Sequence, residues 1–229
     1  MDMRIAGSGK IPAGEYGKIS VSGSGRLFGQ VYCAIFSASG RSNGEHIACA
    51  EGFKTSGSAT FTGDIRAKNL RISGSLTCSG NISTAECFSC SGSTKCEKNI
   101  QGGHLIVSGS LTVGGDVEAE SLQLSGSAHC MGLVHAENVD IKADTAMTIG
   151  TLRGHHIKIR RKRFSLIPKR GVTVSSFLEG DTLELEYVTC ARVTGRVVTV
   201  GKGCCIDLVQ YRETVEIAAG ATVLRTEKI

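Results

Sequence analysis

The stretch RISGSLTCSGNI, residues 71–82, decides the fold. Ser-Gly-Ser sits inside an apolar segment here. It returns at 22–24, 56–58, 91–93, 108–110 and 125–127, with Ser39-Gly40-Arg41 as a worn copy. The central glycines are Gly23, Gly40, Gly57, Gly74, Gly92, Gly109 and Gly126. The step along this series is 17, except for one of 18 between Gly74 and Gly92. A fixed period of this kind marks a solenoid.

Rungs aligned from Ile19, Phe36, Phe53, Leu70, Phe88, Leu105, Leu122 and Val139 begin with an apolar residue every time. The third position reads Val21, Ala38, Thr55, Ile72, Cys90, Val107, Leu124 and Ile141. The ninth reads Leu27, Phe61, Cys78, Cys96, Val113, Cys130 and Met147, with Gly44 as an exception. The thirteenth reads Val31, Ala48, Ile65, Ile82, Ile100, Val117 and Val134. Each of these columns alternates with polar neighbours, which is the period of half-buried strands. Three such pairs per rung predict three strands per turn. Helical repeats need roughly 33–47 residues per unit, and Gly costs a helix about 1 kcal/mol relative to Ala. The pattern therefore predicts an all-β chain folded as a parallel β-helix: a solenoid of triangular cross-section with about 17 residues per rung. Parallel crossovers are overwhelmingly right-handed, and 17 is not a multiple of the six-residue repeat of left-handed β-helices, so a right-handed coil is expected.

The glycine of each Ser-Gly-Ser is expected at a corner, with positive φ, flanked by serines bonding nearby backbone. Gly29, Gly63, Gly80, Gly115 and Gly132 mark a second corner. Backwards, MRIAGSGKI aligns with KISVSGSGRL and puts Ile5 under Val21 and Ile11 under Leu27, so rungs begin at Met3. Forwards, residues 153–170 hold eight Lys or Arg and no acid. Beyond them VVTVGKGCCI (197–206) matches TVEIAAGATV (214–223), again at a spacing of 17. The expected organisation is one continuous domain: rungs over 1–152, a basic insertion over 153–180 and rungs over 181–229.

The chain has 229 residues, 30 glycines, 2 prolines, no tryptophan and a net charge of +5. No run approaches the roughly 20 apolar residues of a membrane span, and the opening MDMRIAGSGK is not a signal peptide. A cytoplasmic protein is expected, with the inner face of the membrane as a surface its basic segment could meet. The ten cysteines are then thiols. Cys78, Cys96, Cys130 and Cys90 occupy hydrophobe columns and read as small core residues. Cys33 shares a column with Ala50 and Ala67. Cys87 lies in the 18-residue rung and is expected at a bulge. Cys49 and Cys190 read as outward, and of Cys204 and Cys205 one should point in and one out. Asp64 and Asp116 share a column with Asn81, Asn99 and Leu133, which reads as a turn preference and not as a catalytic pair. No triad order, phosphate loop or dinucleotide fingerprint is present. No catalytic residue, cofactor site or metal site is assigned, and an enzyme is not expected.

The Ser-Gly-Ser rungs, followed by FLEGDTLELEYVTCARVTGRVVTVGKGCCIDLVQYRETVEI (177–217), resemble the bactofilins, in their longer variety of polymer-forming cytoskeletal proteins. The resemblance covers nearly the whole chain. It implies a right-handed β-helix that stacks end to end into non-polar filaments without nucleotide. Such filaments scaffold cell shape, cell-wall enzymes or membrane-associated complexes, so the implied partners are the chain itself, the membrane surface and cell-wall-associated proteins. Some members reach the membrane through an N-terminal segment, a route not expected where a rung begins at Met3.

Polymerisation also follows from the coil. A β-helix ends in unpaired strand edges over an aliphatic core, which natural proteins usually hide. Met3, Ile5 and Ile11 on the first rung, and Val215, Ile217 and Val223 on the last, are the expected polymerisation interface. Ends of matched outline join without closing, which yields a filament. Lys158, Arg160, Arg161, Lys162, Arg163, Lys169 and Arg170 are the expected contact to an anionic surface, lipid headgroups before nucleic acid, because base-stacking aromatics are scarce there. The competing function is a rigid adaptor that binds a partner or the membrane through this segment.

Overall fold

A computed structural model describes residues 1–143, 145–161 and 171–229. Its strands pair in parallel, each with the strand one turn away: Gly14 with Val31, Ser58 with Ser75 and Val117 with Val134. Each of these steps equals the repeat of the sequence. The predicted parallel β-solenoid is the observed fold. The described residues fall into two compact units, Met1–Gly115 and Asp116–Ile229.

Unit 1 alternates short and long strands. The short ones are β2 (Ser8–Ile11), β4 (Ser24–Leu27), β6 (Arg41–Gly44), β8 (Ser58–Phe61), β10 (Ser75–Cys78), β12 (Ser93–Cys96) and β14 (Ser110–Val113). The others are β1 (Met3–Ile5), β3 (Gly14–Val21), β5 (Gln30–Ala38), β7 (His46–Thr55), β9 (Ile65–Ile72), β11 (Ile82–Cys90) and β13 (Ile100–Val107). Unit 2 comprises β15 (Val117–Leu124), β16 (Ser127–Lys142), β17 (Met147–Arg160), β18 (Val172–Leu185), β19 (Val188–Val200), β20 (Cys205–Ile217) and β21 (Thr222–Lys228).

Inward columns stack in register. Ile19, Phe36, Phe53, Leu70, Phe88 and Leu105 form one column of unit 1. Leu122, Val139, Ile157, Leu183, Val198 and Val215 form the corresponding column of unit 2. In unit 1, Phe36 and Phe53 stack at 4.8 Å between centroids, and Phe61 meets Phe53 edge-on at 5.7 Å. Aromatic pairs favour both of these arrangements.

Ser-Gly-Ser does sit at a corner, but for a different reason from the one expected. None of Gly23, Gly40, Gly57, Gly74, Gly92 and Gly109 has a positive φ. The constraint is close approach: a Cβ on Gly74 would lie 2.0 Å from the carbonyl oxygen of Gly57, which in turn would hold one 2.0 Å from that of Gly40. Only glycine lets successive corners stack at the strand spacing. The flanking amides bond between rungs, Ser73 N to Thr55 O at 2.9 Å and Ser75 N to Gly57 O at 2.8 Å. The bonds from these serines thus run to the previous turn.

The structure corrects three alignments. Val31 pairs with Ile47, so Ile47 is the core residue and Ala48 stands opposite Tyr32. Cys33 accordingly pairs with Cys49, and Cys49 is buried rather than outward; Ala50 is exposed. The rung is one residue short at the corner before His46. It recovers that residue in a bulge, where Ala50 and Glu51 together take the place of Ala34. Cys190 is also buried, opposite Val174 and Ile206. Cys130 pairs with Ile149, which leaves Met147 two positions earlier in the rung. A fixed grid with a single period cannot register such paired slips. Cys87 does lie at a register shift, Cys204 is buried and Cys205 exposed.

Candidate functional site

The expected interface residues occupy different environments at the two ends of the chain. On β1 and β2, Met3 pairs with Ile19, Ile5 with Val21 and Ile11 with Leu27. Ile11 is fully buried, Ile5 is 8% exposed and Met3 is half-buried. The chain itself covers most of this aliphatic surface. Gly9 closes over Ile5, whose Cδ1 lies 2.9 Å from the position of a Gly9 Cβ. The segment before β1 is also tied down: Gly17 N donates to Met1 O at 2.8 Å, and Lys18 N donates to Asp2 Oδ1 at 2.9 Å.

On β20 and β21 the same columns are open. Val215 follows Val198, Ile217 follows Val200 and Val223 follows Ile206. The partners Val198, Val200 and Ile206 are all buried, whereas Val215 and Val223 are half-buried and Ile217 is 45% exposed. Leu224 is 73% exposed beside them. Among the described residues, β21 pairs with β20 on one edge and with no strand on the other. Exposed aliphatics in inward columns, next to an unpaired edge, form a surface suited to adding another strand layer.

The basic segment is more closely integrated. Residues 153–160 form the second half of β17 and pair with β18 from Glu179 onward, after a register shift between Ile149 and Leu152. That register sets RGHHIKIR against EGDTLELE. Arg153 Nε lies 3.1 Å from Glu179 Oε2, His155 Nδ1 lies 2.7 Å from Asp181 Oδ2, and Lys158 Nζ meets Glu184 Oε2. Arg160 reaches back a turn to Asp140 at 2.8 Å. The Arg161 guanidinium sits 5.1 Å above the Tyr187 ring. The expected anion contacts Lys158, Arg160 and Arg161 are thus each engaged within unit 2. Lys162, Arg163, Lys169 and Arg170 lie outside the described residues. The acids had a sequence signal: EGDTLELE repeats the spacing of RGHHIKIR with opposite charge, visible only once the rungs are laid over one another.

The Asp/Asn column is a ladder between turns. Asp64 Oδ1 accepts from Asn81 N at 2.8 Å and from its Nδ2 at 3.2 Å; Asn81 Oδ1 accepts from Asn99 N at 3.3 Å. The Asn81 amide holds the Asp64 carboxyl below the ordinary carboxylate range. Asp116 Oδ1 accepts from Leu133 N at 2.8 Å. A carboxylate occupied this way is a structural acceptor. Cys78, Cys90, Cys96 and Cys130 are buried in the inward columns, and burial pushes the Cys130 thiol up to about 12. No three His, Cys, Asp or Glu among the described residues are grouped to hold a metal ion.

Residues 68–153 match the bactofilin family, described as polymer-forming cytoskeletal. The matched segment runs from β9 into β17 and takes in the Ser-Gly-Ser copies at 73–75, 91–93, 108–110 and 125–127. The description is of a cytoskeletal, polymer-forming domain, not of a catalytic one. No curated protein and no solved structure matches the chain significantly. No helix among the described residues is long and apolar enough to cross a membrane.

Proposed function

We propose that this chain is a cytoskeletal scaffold subunit that assembles end to end into filaments by non-covalent stacking of terminal rungs, without nucleotide or other cofactor. The observation that carries the reading is the open layer on β20 and β21, where Val215, Ile217 and Val223 continue buried columns yet remain accessible. The polymer-forming description of the bactofilin segment supports it independently. Each aliphatic side chain fully buried at a joint contributes about 1.5–3 kcal/mol, and the unpaired main-chain groups of β21 gain partners as well. Such burial needs no hydrolysis to drive it.

On this reading the joint is built mainly by β20 and β21, with Met3 and the outer edges of β1 and β2 as the complementary surface. Ile5 and Ile11 support that surface from beneath. The principal partner is a second copy of the chain. A cytoplasmic filament lying along an anionic membrane face is consistent with it, as is a role in placing cell-wall-associated proteins.

Electron microscopy of the purified chain with no nucleotide added tests the reading. Wild type is expected to form long thin fibres. Ile217→Arg is expected to leave discrete particles that keep their β-sheet circular dichroism. Fibres of unchanged length in Ile217→Arg, or discrete wild-type rods, overturn it. Rods that decorate anionic vesicles would instead favour the adaptor.

A further inference from the structure

Unit 1 carries a surface groove of about 680 Å³ whose lining includes Tyr32, Ala48, Ala67 and Thr84 beside two thiols, Cys33 and Cys49. The two cysteines are register partners on successive turns, β5 and β7, and their sulfurs lie 3.5 Å apart. In-register neighbouring strands run about 4.8 Å apart, inside the 4.4–6.8 Å Cα window of a disulfide. The sulfurs must close by about 1.5 Å to reach the bond length of about 2.05 Å. The bulge immediately after Cys49 supplies a backbone that can give. Ala67 and then Thr84 fill the same position on the next two turns, so the column holds this one thiol pair.

We propose that Cys33 and Cys49 are a vicinal dithiol that a hydroperoxide converts reversibly into a disulfide clasp between two successive rungs. The groove is the route of attack. Cys33 is 5% and Cys49 4% exposed at its floor, enough for a peroxide-sized reagent and too little for a second protein. The two sulfurs share a hydrogen bond, and this contact with Cys49 holds the Cys33 pKa below the ordinary thiol value, against the opposing effect of burial. Of the two, Cys33 is the more readily deprotonated and Cys49 the less so.

The Cys33 sulfur attacks one peroxide oxygen and the O–O bond breaks. The other oxygen leaves as alcohol or water with the Cys33 proton, which leaves a sulfenic acid. The Cys49 sulfur then attacks the Cys33 sulfur. The S–O bond breaks, and the hydroxyl departs as water with the Cys49 proton. Two thiols and one hydroperoxide give one disulfide, one alcohol and one water; the thiols lose two electrons and the O–O bond gains them.

The other cysteines supply the contrast. Cys78 and Cys96 are also register partners, but they are 0% and 1% exposed, and their thiols donate to the carbonyl oxygens of Gly63 and Gly80. They face the core, where the oxidant has no path. Cys205 is exposed but alternates with Cys204, which points inward.

The test uses the folded full-length chain, with Cys205→Ser as a parallel background that removes the exposed thiol. Reduced protein is exposed to a few equivalents of hydrogen peroxide, blocked with N-ethylmaleimide, unfolded, digested and mapped by mass spectrometry. The expected product joins the Cys33 and Cys49 peptides, lacks two hydrogens and reverts with dithiothreitol, while Cys78, Cys96 and Cys130 stay unmodified until the protein is unfolded. In Cys49→Ser, dimedone should trap Cys33 as a sulfenic acid. Recovery of Cys33 and Cys49 as free thiols after Cys205 has been oxidised overturns the proposal. So does sulfinic acid at either position without the linked peptide, or a link that forms only after denaturation.

Discussion

In unit 1 each full turn is cut into a short strand such as β10 and a longer one such as β7 or β9, whereas the strands of unit 2 from β16 to β20 run on past the same corner. The difference lies in one column. Where it holds Asp64 and Asn81, each side chain accepts from the backbone N–H of the next turn, and the strand breaks at that corner. Where it holds Leu133, Thr151 and Phe177 the strand carries on through a small register shift, and at Arg192 and Leu208 it carries on in register. The units also differ in what fills and lines them. Unit 1 buries Phe36, Phe53, Phe61 and Phe88, whereas the buried positions of unit 2 hold Val, Ile and Leu together with Ala, Cys and Met. Unit 2 sets Arg153, Lys158, Arg160 and Arg196 against acids on neighbouring turns, where unit 1 sets Lys68 against Glu86. The same coil can thus be held by packed rings and stacked glycine corners, or by aliphatic columns and charge ladders.

The largest effect should come from the rings. Phe53→Ala removes the ring packed on both Phe36 and Phe61. It should destabilise by about 3–5 kcal/mol, read as a shift in the urea midpoint. Val198→Ala, in the matching column of unit 2, removes far less volume and should cost less. Equal losses would show that the aromatic cluster is not what distinguishes unit 1.

The glycine corner comes next. Gly74→Ala places a Cβ against the Gly57 carbonyl oxygen, and neither backbone can yield without moving a rung. A loss of about 1–3 kcal/mol is expected. Gly7→Ala, with nothing within 4 Å of its Cβ, should stay within about 0.5 kcal/mol. Matching thermal shifts in the two variants would mean that the stacked corners accommodate a methyl group.

The smallest effect belongs to the charge ladder. Lys158 and Glu184 are both substantially solvated, so a double-mutant cycle with Lys158→Ala and Glu184→Ala should give a coupling of about 0.2–1 kcal/mol that shrinks with added salt. A larger, salt-insensitive coupling would make unit 2 depend on its ion pairs as unit 1 depends on its rings.

Much of this was legible in the residues. The constant spacing of the glycines and the period-two alternation led directly to parallel strands stacked turn on turn. The first and third columns proved buried from Ile19 and Val21 as far as Val139 and Ile141. Two kinds of information were not legible. Slips that cancel within one turn, as around Cys49, preserve the overall spacing while exchanging inward and outward residues. Charge across rungs was hidden as well: RGHHIKIR reads as a basic run until EGDTLELE is laid on it one turn further along. The candidate interface divided in the same way. Val215, Ile217 and Val223 are accessible as their columns imply, but Ile5 and Ile11 are covered by their own chain.

By itself the sequence determined the coil. A repeat of apolar columns with glycine at each corner allows one way for the backbone to stack, because the strand spacing leaves no room for a Cβ beneath the carbonyl above it. Only the tertiary structure decided which side chains meet along the axis. The closeness of Cys33 to Cys49, the pairing of Lys158 with Glu184 and the exposure of Ile217 all depend on register, and register is set by bulges and corners that shift by single residues. A one-residue slip in a strand reverses which face each side chain takes, and a count of residues between repeats cannot record it.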